Sequence, residues 1–132
     1  MRLFFSFLII VLGFIACNKN ETNPPSVKIA SPLANDTLSV SDSVLINATI
    51  TDKHLSSYKI IVFNSYSKQI LYSEKGSAAI NPFNINKKVS FALNADTTVY
   101  MNILGIDKNG NTGVAGVSFY LNHKYAPARD LI

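Results

Sequence analysis

From residue 27 onward, the chain is built of short runs in which apolar residues alternate with polar ones. Turn residues such as Asn, Asp, Gly and Pro separate these runs. The clearest run occupies residues 43–51, and its apolar positions all share one parity: Val44, Ile46, Ala48 and Ile50. A period of two places every second side chain on the same face of a β-strand. Because no helical period competes with it, the pattern predicts an all-β domain.

The other runs extend this interpretation along the chain. Strands are predicted at residues 27–30, 58–63, 69–74, 89–93, 99–105 and 117–121, with a brief extended piece at 38–40. Within 58–63, Tyr58 is expected to face the core, whereas Ile61 and Phe63 make the opposite face unusually apolar. Residues 75–86 include Gly76, Pro82 and several Asn, so we predict a loop with at most one edge strand.

About seven short strands with frequent turns favour two packed sheets. Three segments resemble bacterial immunoglobulin-like and cadherin-like domains: Pro-Pro-Ser-Val-Lys-Ile-Ala-Ser-Pro (24–32), Val-Leu-Ile-Asn-Ala-Thr-Ile-Thr-Asp (44–52) and Tyr-Met-Asn-Ile-Leu-Gly-Ile-Asp-Lys-Asn-Gly-Asn (100–111). More narrowly, the chain is similar to single-domain lipoproteins of the Bacteroidetes type, a group with many domains of unknown function. The resemblance implies an immunoglobulin-like β-sandwich over residues 27–122, followed by a tail at 123–132. It implies almost nothing about activity.

The N-terminus predicts export from the cytoplasm. Arg2 precedes an apolar run over residues 3–16, which is shorter than the roughly 20 residues of a membrane-spanning helix. The junction Ala16-Cys17 resembles the lipobox of bacterial lipoproteins. In that family the signal, here residues 1–16, is cleaved before the cysteine, and the thiol of Cys17 receives a diacylglycerol. Phe14 stands where these signals usually carry Leu, so an ordinary secretory signal and an uncleaved membrane anchor remain alternatives.

Residues 17–26 are expected to be a short tether that ends in Pro24-Pro25 and keeps the domain close to the membrane lipid. Asn18 follows the cysteine where the familiar inner-membrane retention signal has Asp, which favours the outer membrane. Lys19-Asn20-Glu21 matches a surface-export signal only in part. The sequence therefore predicts an outer-membrane lipoprotein of the cell envelope and leaves surface-exposed and periplasm-facing orientations open.

The charge pattern argues against a nucleic-acid partner. Removal of residues 1–16 takes Arg2 away, which leaves 11 of the 12 basic residues against 8 acidic ones, a net charge of +3. These basic residues are scattered, whereas a nucleic-acid footprint clusters them on one face. With Cys17 lipidated, no thiol remains for disulfides, so burial alone must hold the domain together.

One loop suggests a metal site. Asp107, Asn109 and Asn111 alternate along it, and Asp52 lies in a loop expected at the same end of the sandwich. Calcium prefers such oxygen ligands, but the EF-hand pattern would need Gly and Glu at positions that hold Thr112 and Ser118. Asn109-Gly110 is also a strong hairpin signal. We therefore favour a capped turn over calcium, and expect no other cofactor.

Catalysis has little support in the sequence. His54 and His123 are the only neutral-pH bases, they lie in different loops, and no nucleophile elbow or carboxylate pair accompanies them. The protein is not expected to be an enzyme. An aromatic platform for sugar rings is one interpretation of Tyr58, Phe63, Tyr66, Tyr72 and Phe83. We favour the other, in which these residues pack in the core or stand singly on the surface.

These observations predict a non-catalytic binding or structural module whose partner is an unknown envelope protein or glycan. Two alternatives are a glycan-binding accessory protein of a polysaccharide-uptake system and a calcium-stabilised adhesion module. If the first strand runs antiparallel to residues 43–51, the tether enters at the end that carries the loops 52–55 and 107–112. The loops at the opposite end, with Tyr66 and Tyr125, are then the expected partner surface.

Overall fold

The computed structural model describes residues 22–40 and 43–123, and within them eight strands form two sheets. The strands are β1 (Ser26–Ser31), β2 (Thr37–Ser39), β3 (Val44–Thr51), β4 (Leu55–Asn64), β5 (Ile70–Ser77), β6 (Phe83–Val89), β7 (Thr97–Asp107) and β8 (Thr112–Asn122). No helix in this part of the chain is long and apolar enough to cross a bilayer. The predicted signal, the lipidated Cys17 and Tyr125 lie outside the described residues.

The strand order is that of a β-sandwich. One sheet has the order β1-β3-β6 and the other β2-β8-β7-β4-β5. Among the described strands, neighbours pair antiparallel except β2, which runs parallel to β8. The predicted immunoglobulin-like β-sandwich is confirmed. The brief extended piece predicted at residues 38–40 is a strand, β2, because it pairs with the end of β8.

The core lies between the sheets and is built from alternate positions on the long strands. Ile46, Ile60 and Ile103 are fully buried, as are most residues that share their parity. Burial of one such side chain contributes roughly 1.5–3 kcal/mol. The predicted inner faces of β3, β4, β7 and β8 are confirmed, including the burial of Tyr58.

Between residues 69 and 96 the sequence prediction was partly wrong. The strand predicted at 69–74 continues to Ser77 because β5 pairs with β4 along its length. The edge strand that the prediction allowed within residues 75–86 is present: the first part of β6 lies there, at the edge of the three-stranded sheet and paired with β3. The strand predicted at 89–93 does not form: Phe91 is buried, but residues 90–96 carry the chain from one sheet to the other. A connection between two sheets can bury alternate side chains without forming the backbone hydrogen bonds of a strand.

Candidate functional site

The chain enters the sandwich at one end, which we call the tether end. Ser26 pairs with Thr51, so β1 starts beside the end of β3, as predicted. A Cβ on Gly113 would lie 1.7 Å from the carbonyl oxygen of Pro25, so the chain before β1 rests directly on the start of β8. The tether end carries the turns at 52–54 and 108–111, joined by a 2.8 Å hydrogen bond from Lys108 N to the His54 carbonyl. The opposite end is the distal end.

An ordered turn at the distal end displays Tyr66. The side-chain oxygen of Asn64 accepts hydrogen bonds from the backbone N–H groups of Tyr66 (2.9 Å) and Ser67 (3.0 Å). The amide group of Asn64 donates to the hydroxyl of Thr97 at 3.0 Å, which ties the turn to β7. Asn is favoured in such turns because its side chain replaces backbone acceptors. Tyr66 is nevertheless 81% exposed, so the turn presents an aromatic ring to solvent.

A polar pocket of about 290 Å³ lies between this turn and the connection that precedes β7. Its polar lining residues are Asn64, Gln69, Asn94, Asp96 and Thr97. They offer amide, carboxylate and hydroxyl groups, which can donate to or accept from the hydroxyls of sugars and the backbone of peptides. Asp96 is held in place because one of its oxygens accepts a 2.6 Å hydrogen bond from His123 N. The sequence does not indicate this pocket, because its two walls are far apart in the chain.

The calcium candidates lie in the two turns of the tether end, where their carboxylates accept turn hydrogen bonds. One oxygen of Asp107 accepts the backbone N–H groups of Asn109 and Asn111, and the other accepts the Asn111 amide, each at 2.8 Å. Burial raises the pKa of Asp107, but these hydrogen bonds outweigh it and lower the pKa overall. Asp52 accepts the His54 N–H at 2.7 Å. In the described chain, no group of three or more His, Cys, Asp or Glu could hold a metal ion.

The remaining candidates are spread over the sandwich. His54 lies at the tether end and His123 follows β8 at the distal end, so the described structure does not bring these two bases together. The aromatic residues are also separated. Tyr58 is buried against Phe83, with ring centroids 5.0 Å apart, whereas Phe63 contacts Tyr100 at 5.5 Å on the outer face of the five-stranded sheet. They do not form one platform.

A second cluster that sequence analysis missed joins the two sheets. Glu74 on β5 accepts hydrogen bonds from the hydroxyls of Tyr58 and Tyr72 and forms an ion pair with Lys87 on β6. Strands β5 and β6 are edge strands of different sheets. The sequence contains only a weak indication of this cluster. Glu74 and Lys87 lie at inward-facing positions of β5 and β6, and the alternation of apolar residues did not predict the bounds of these two strands.

The cluster shifts the pKa of its members in opposite directions. Burial raises the pKa of Glu74, but hydrogen bonds from Lys87, Tyr58 and Tyr72 lower it overall to about 2. Burial and the hydrogen bond to Glu74 raise the pKa of Tyr72 to about 12. The hydrogen bond to Glu74 also raises the pKa of Tyr58 and of Lys87. At neutral pH the carboxylate and the ammonium are therefore charged and both phenols are neutral.

Comparisons with known proteins address the fold. No family model and no curated protein matches the chain. Among solved structures, CopC from Methylosinus trichosporium OB3b has a TM-score of 0.53 at 11% identity, covering 76% of this chain and 98% of its own. The fibronectin(III)-like modules of Clostridium thermocellum CbhA give 0.47 at 18% identity, covering 75% and 96%. Murine CRIg gives 0.46 at 10% identity, covering 78% and 100%.

At identities this low, the likeness shows the fold and carries no activity over. Of these three, only CopC has a TM-score above one half. Together with the strand order of the two sheets, the comparison identifies the domain as an immunoglobulin-like β-sandwich.

Proposed function

We propose that this protein is a lipoprotein of the cell envelope, anchored through Cys17 in the outer membrane, and that its sandwich is a non-catalytic binding module. The N-terminal sequence supports the anchor: Arg2, the apolar run over residues 3–16 and the Ala16-Cys17 junction. The position of Pro25 on β8 supports the orientation, because a short tether that enters there holds the tether end near the lipid. The distal end then faces a partner.

The observation that carries the binding role is the ordered turn that exposes Tyr66. An exposed tyrosine loses little conformational entropy on binding and contributes both apolar area and a hydroxyl. Here the Asn64 side chain already fixes the backbone that presents it. Tyr125, which lies outside the described residues, is retained as a second contact residue on the basis of the sequence prediction alone.

A glycan is the second candidate for the partner of this end. The pocket beside the turn is lined mainly by polar groups, and Tyr66 belongs to one of its bordering turns. Polar groups that fix hydroxyls, together with a nearby aromatic ring, suit a saccharide. This would make the protein a glycan-binding accessory of a polysaccharide-uptake system.

The test compares capture of envelope proteins and envelope glycans by the wild-type chain and by alanine variants. Tyr66→Ala and Tyr125→Ala should each weaken binding of the captured partner by about tenfold, the loss of one contact residue at an interface. His54→Ala and Lys108→Ala, both in turns of the tether end, serve as matched controls and should bind normally. Loss of binding in the controls alone would place the partner surface at the tether end and contradict the proposal.

A further inference from the structure

Two lysines lie directly opposite each other on the outer face of the five-stranded sheet. Lys59 on β4 pairs in register with Lys75 on β5. Their neighbours Tyr58 and Ile60 are buried, so the two lysine positions face away from the core. Like charges at directly opposed positions destabilise a pair of strands. An arrangement with this cost suggests that a ligand of opposite charge relieves it.

The described protein supplies no counter-charge on this face. The outward positions of β4, β5, β7 and β8 hold apolar, hydroxyl, amide, glycine and lysine residues, and none is acidic. Glu74, the acid nearest to Lys75 in sequence, is on the inner side and is bound by Lys87. Asp107, at the end of β7, accepts hydrogen bonds within its own turn. Within residues 22–40 and 43–123, neither Lys59 nor Lys75 makes an ion pair.

The lysines border a depression of about 430 Å³ that also includes Ser57, Ser77 and Ile106. Ser57 and Ser77 form the next outward-facing pair along the same two strands, because the pair between them, Tyr58 and Gly76, faces inward. Two hydroxyl residues therefore flank the two lysines. This is a volume typical of small-ligand sites. Four donor groups suit a tetrahedral oxyanion with several acceptor oxygens better than a carboxylate with two.

We propose that this depression binds the phosphate group of a small phosphate ester, between Lys59 and Lys75 and with hydrogen bonds from Ser57 and Ser77. The sec-butyl side chain of Ile106 contacts the apolar part of the ester. The row of lysines lies four residues along β4 from Leu55, about 13 Å from the tether end. The two arms of the test below distinguish the two sources of this phosphate group, a soluble ester and a lipid headgroup near the anchor. The site is separate from the distal end, so the test of phosphate binding does not depend on whether Tyr66 binds a partner.

The first arm of the test titrates the full chain with glycerol phosphate and follows the backbone amide signals of residues 57–59 and 75–77. Saturable shifts are expected there. Lys59→Gln should weaken the affinity by about tenfold, the loss of one charge-assisted contact. Lys59→Gln/Lys75→Gln should abolish the shifts. The matched control, Lys28→Gln/Lys88→Gln, removes the same charge from the outer face of the other sheet and should bind like the wild type.

The second arm measures partition of the wild-type chain and the two double variants onto phosphatidylcholine vesicles with and without phosphatidylglycerol. Selective loss in Lys59→Gln/Lys75→Gln that is confined to the glycerol phosphate arm identifies a soluble ester as ligand, and selective loss in both arms identifies a lipid headgroup whose phosphate group also binds when free. Selective loss in the vesicle arm alone identifies a lipid headgroup. If the two double variants behave alike in both arms, or if no shift occurs at residues 57–59 and 75–77 and partition is unaffected, the proposal is overturned.

Discussion

At the scale of single residues, Glu74 has the largest role that the sequence did not reveal. Its carboxylate accepts hydrogen bonds from two phenol hydroxyls, on β4 and β5, and forms an ion pair with one ammonium group on β6. Its side chain is 25% exposed, so these partners replace much of the water that would otherwise solvate the charge. A partly buried charge is stable only where such hydrogen bonds are made. Glu74 therefore fastens the two edge strands to each other.

We predict that Glu74→Gln lowers the free energy of unfolding by about 1–2 kcal/mol at pH 7, because the amide offers fewer acceptors and leaves Lys87 without its counter-charge. The native pKa of about 2 lies below the ordinary 4.5, so the carboxylate stabilises the fold above pH 4.5 and loses this effect as the pH falls toward 2. Tyr72, with a pKa raised from 10.0 to about 12, adds stability that is lost as the pH rises between those values.

Urea unfolding between pH 2 and 4.5 measures the contribution of Glu74 to the free energy of unfolding, and urea unfolding between pH 10 and 12 measures that of Tyr72. The wild-type chain should lose more stability than Glu74→Gln between pH 4.5 and 2. Lys88→Gln is the control for charge removal on β6, since Lys88 faces outward next to Lys87. Equal acid sensitivity of the wild-type chain and Glu74→Gln would refute a stabilising role for the ionised carboxylate.

At the scale of elements, the turn between β7 and β8 determines how the two longest strands meet. Asp107 accepts three hydrogen bonds from this turn, and Gly110 adopts a φ of 85°. Glycine reaches that left-handed conformation without a steric cost. The Asn109-Gly110 pair thus forms the hairpin connection that the sequence predicted. Asp107 is also one of the four calcium candidates, and the use of its carboxylate within the turn supports capping.

We predict that Asp107→Ala lowers the melting temperature by several degrees, and by the same amount in EDTA as in millimolar calcium. The variant loses the carboxylate that accepts hydrogen bonds from Asn109 and Asn111. Because these hydrogen bonds form without a metal, the loss of stability should not depend on calcium. Thermal unfolding followed by circular dichroism gives the answer, with Asp36→Ala as a control in a different loop. A calcium-dependent rise in the wild-type melting temperature that disappears in Asp107→Ala would instead establish the adhesion-module alternative.

At the scale of the whole molecule, the sandwich has two unlike ends. The chain enters at the tether end, where Pro25 rests on Gly113 and leaves no room for a side chain there. The distal end carries Tyr66 and the polar pocket, and the lysine pair lies on the face between the two ends. A module of this kind can contact a membrane and a partner at the same time, provided that the tether is attached to lipid.

We predict that Cys17 is the acylated first residue of the mature protein. Mass spectrometry of the membrane-extracted protein should find the acyl mass on Cys17, because the apolar run and the Ala16-Cys17 junction direct cleavage and lipidation there. Cys17→Ser should move the protein out of the membrane fraction. An intact Met1, or an unmodified thiol on the wild-type protein, would contradict the anchor.

The sequence by itself determined the all-β class, the inner faces of the long strands and the turn at Asn109-Gly110. These features follow from local properties. Alternation such as Val99, Met101 and Ile103 marks one face of a strand wherever the strand pairs, because the period of two belongs to the backbone. A hairpin turn likewise depends on the φ values that its own residues allow.

Only the tertiary structure decided the bounds of β5 and β6 and the sites formed across strands. Glu74 meets Lys87, and Lys59 meets Lys75, through pairings between residues that are distant in the chain. The polar pocket also needs two connections that meet only in the folded sandwich. The physical reason is register: a shift by one residue moves every side chain of a strand to the other face, and register is set by the partner strand.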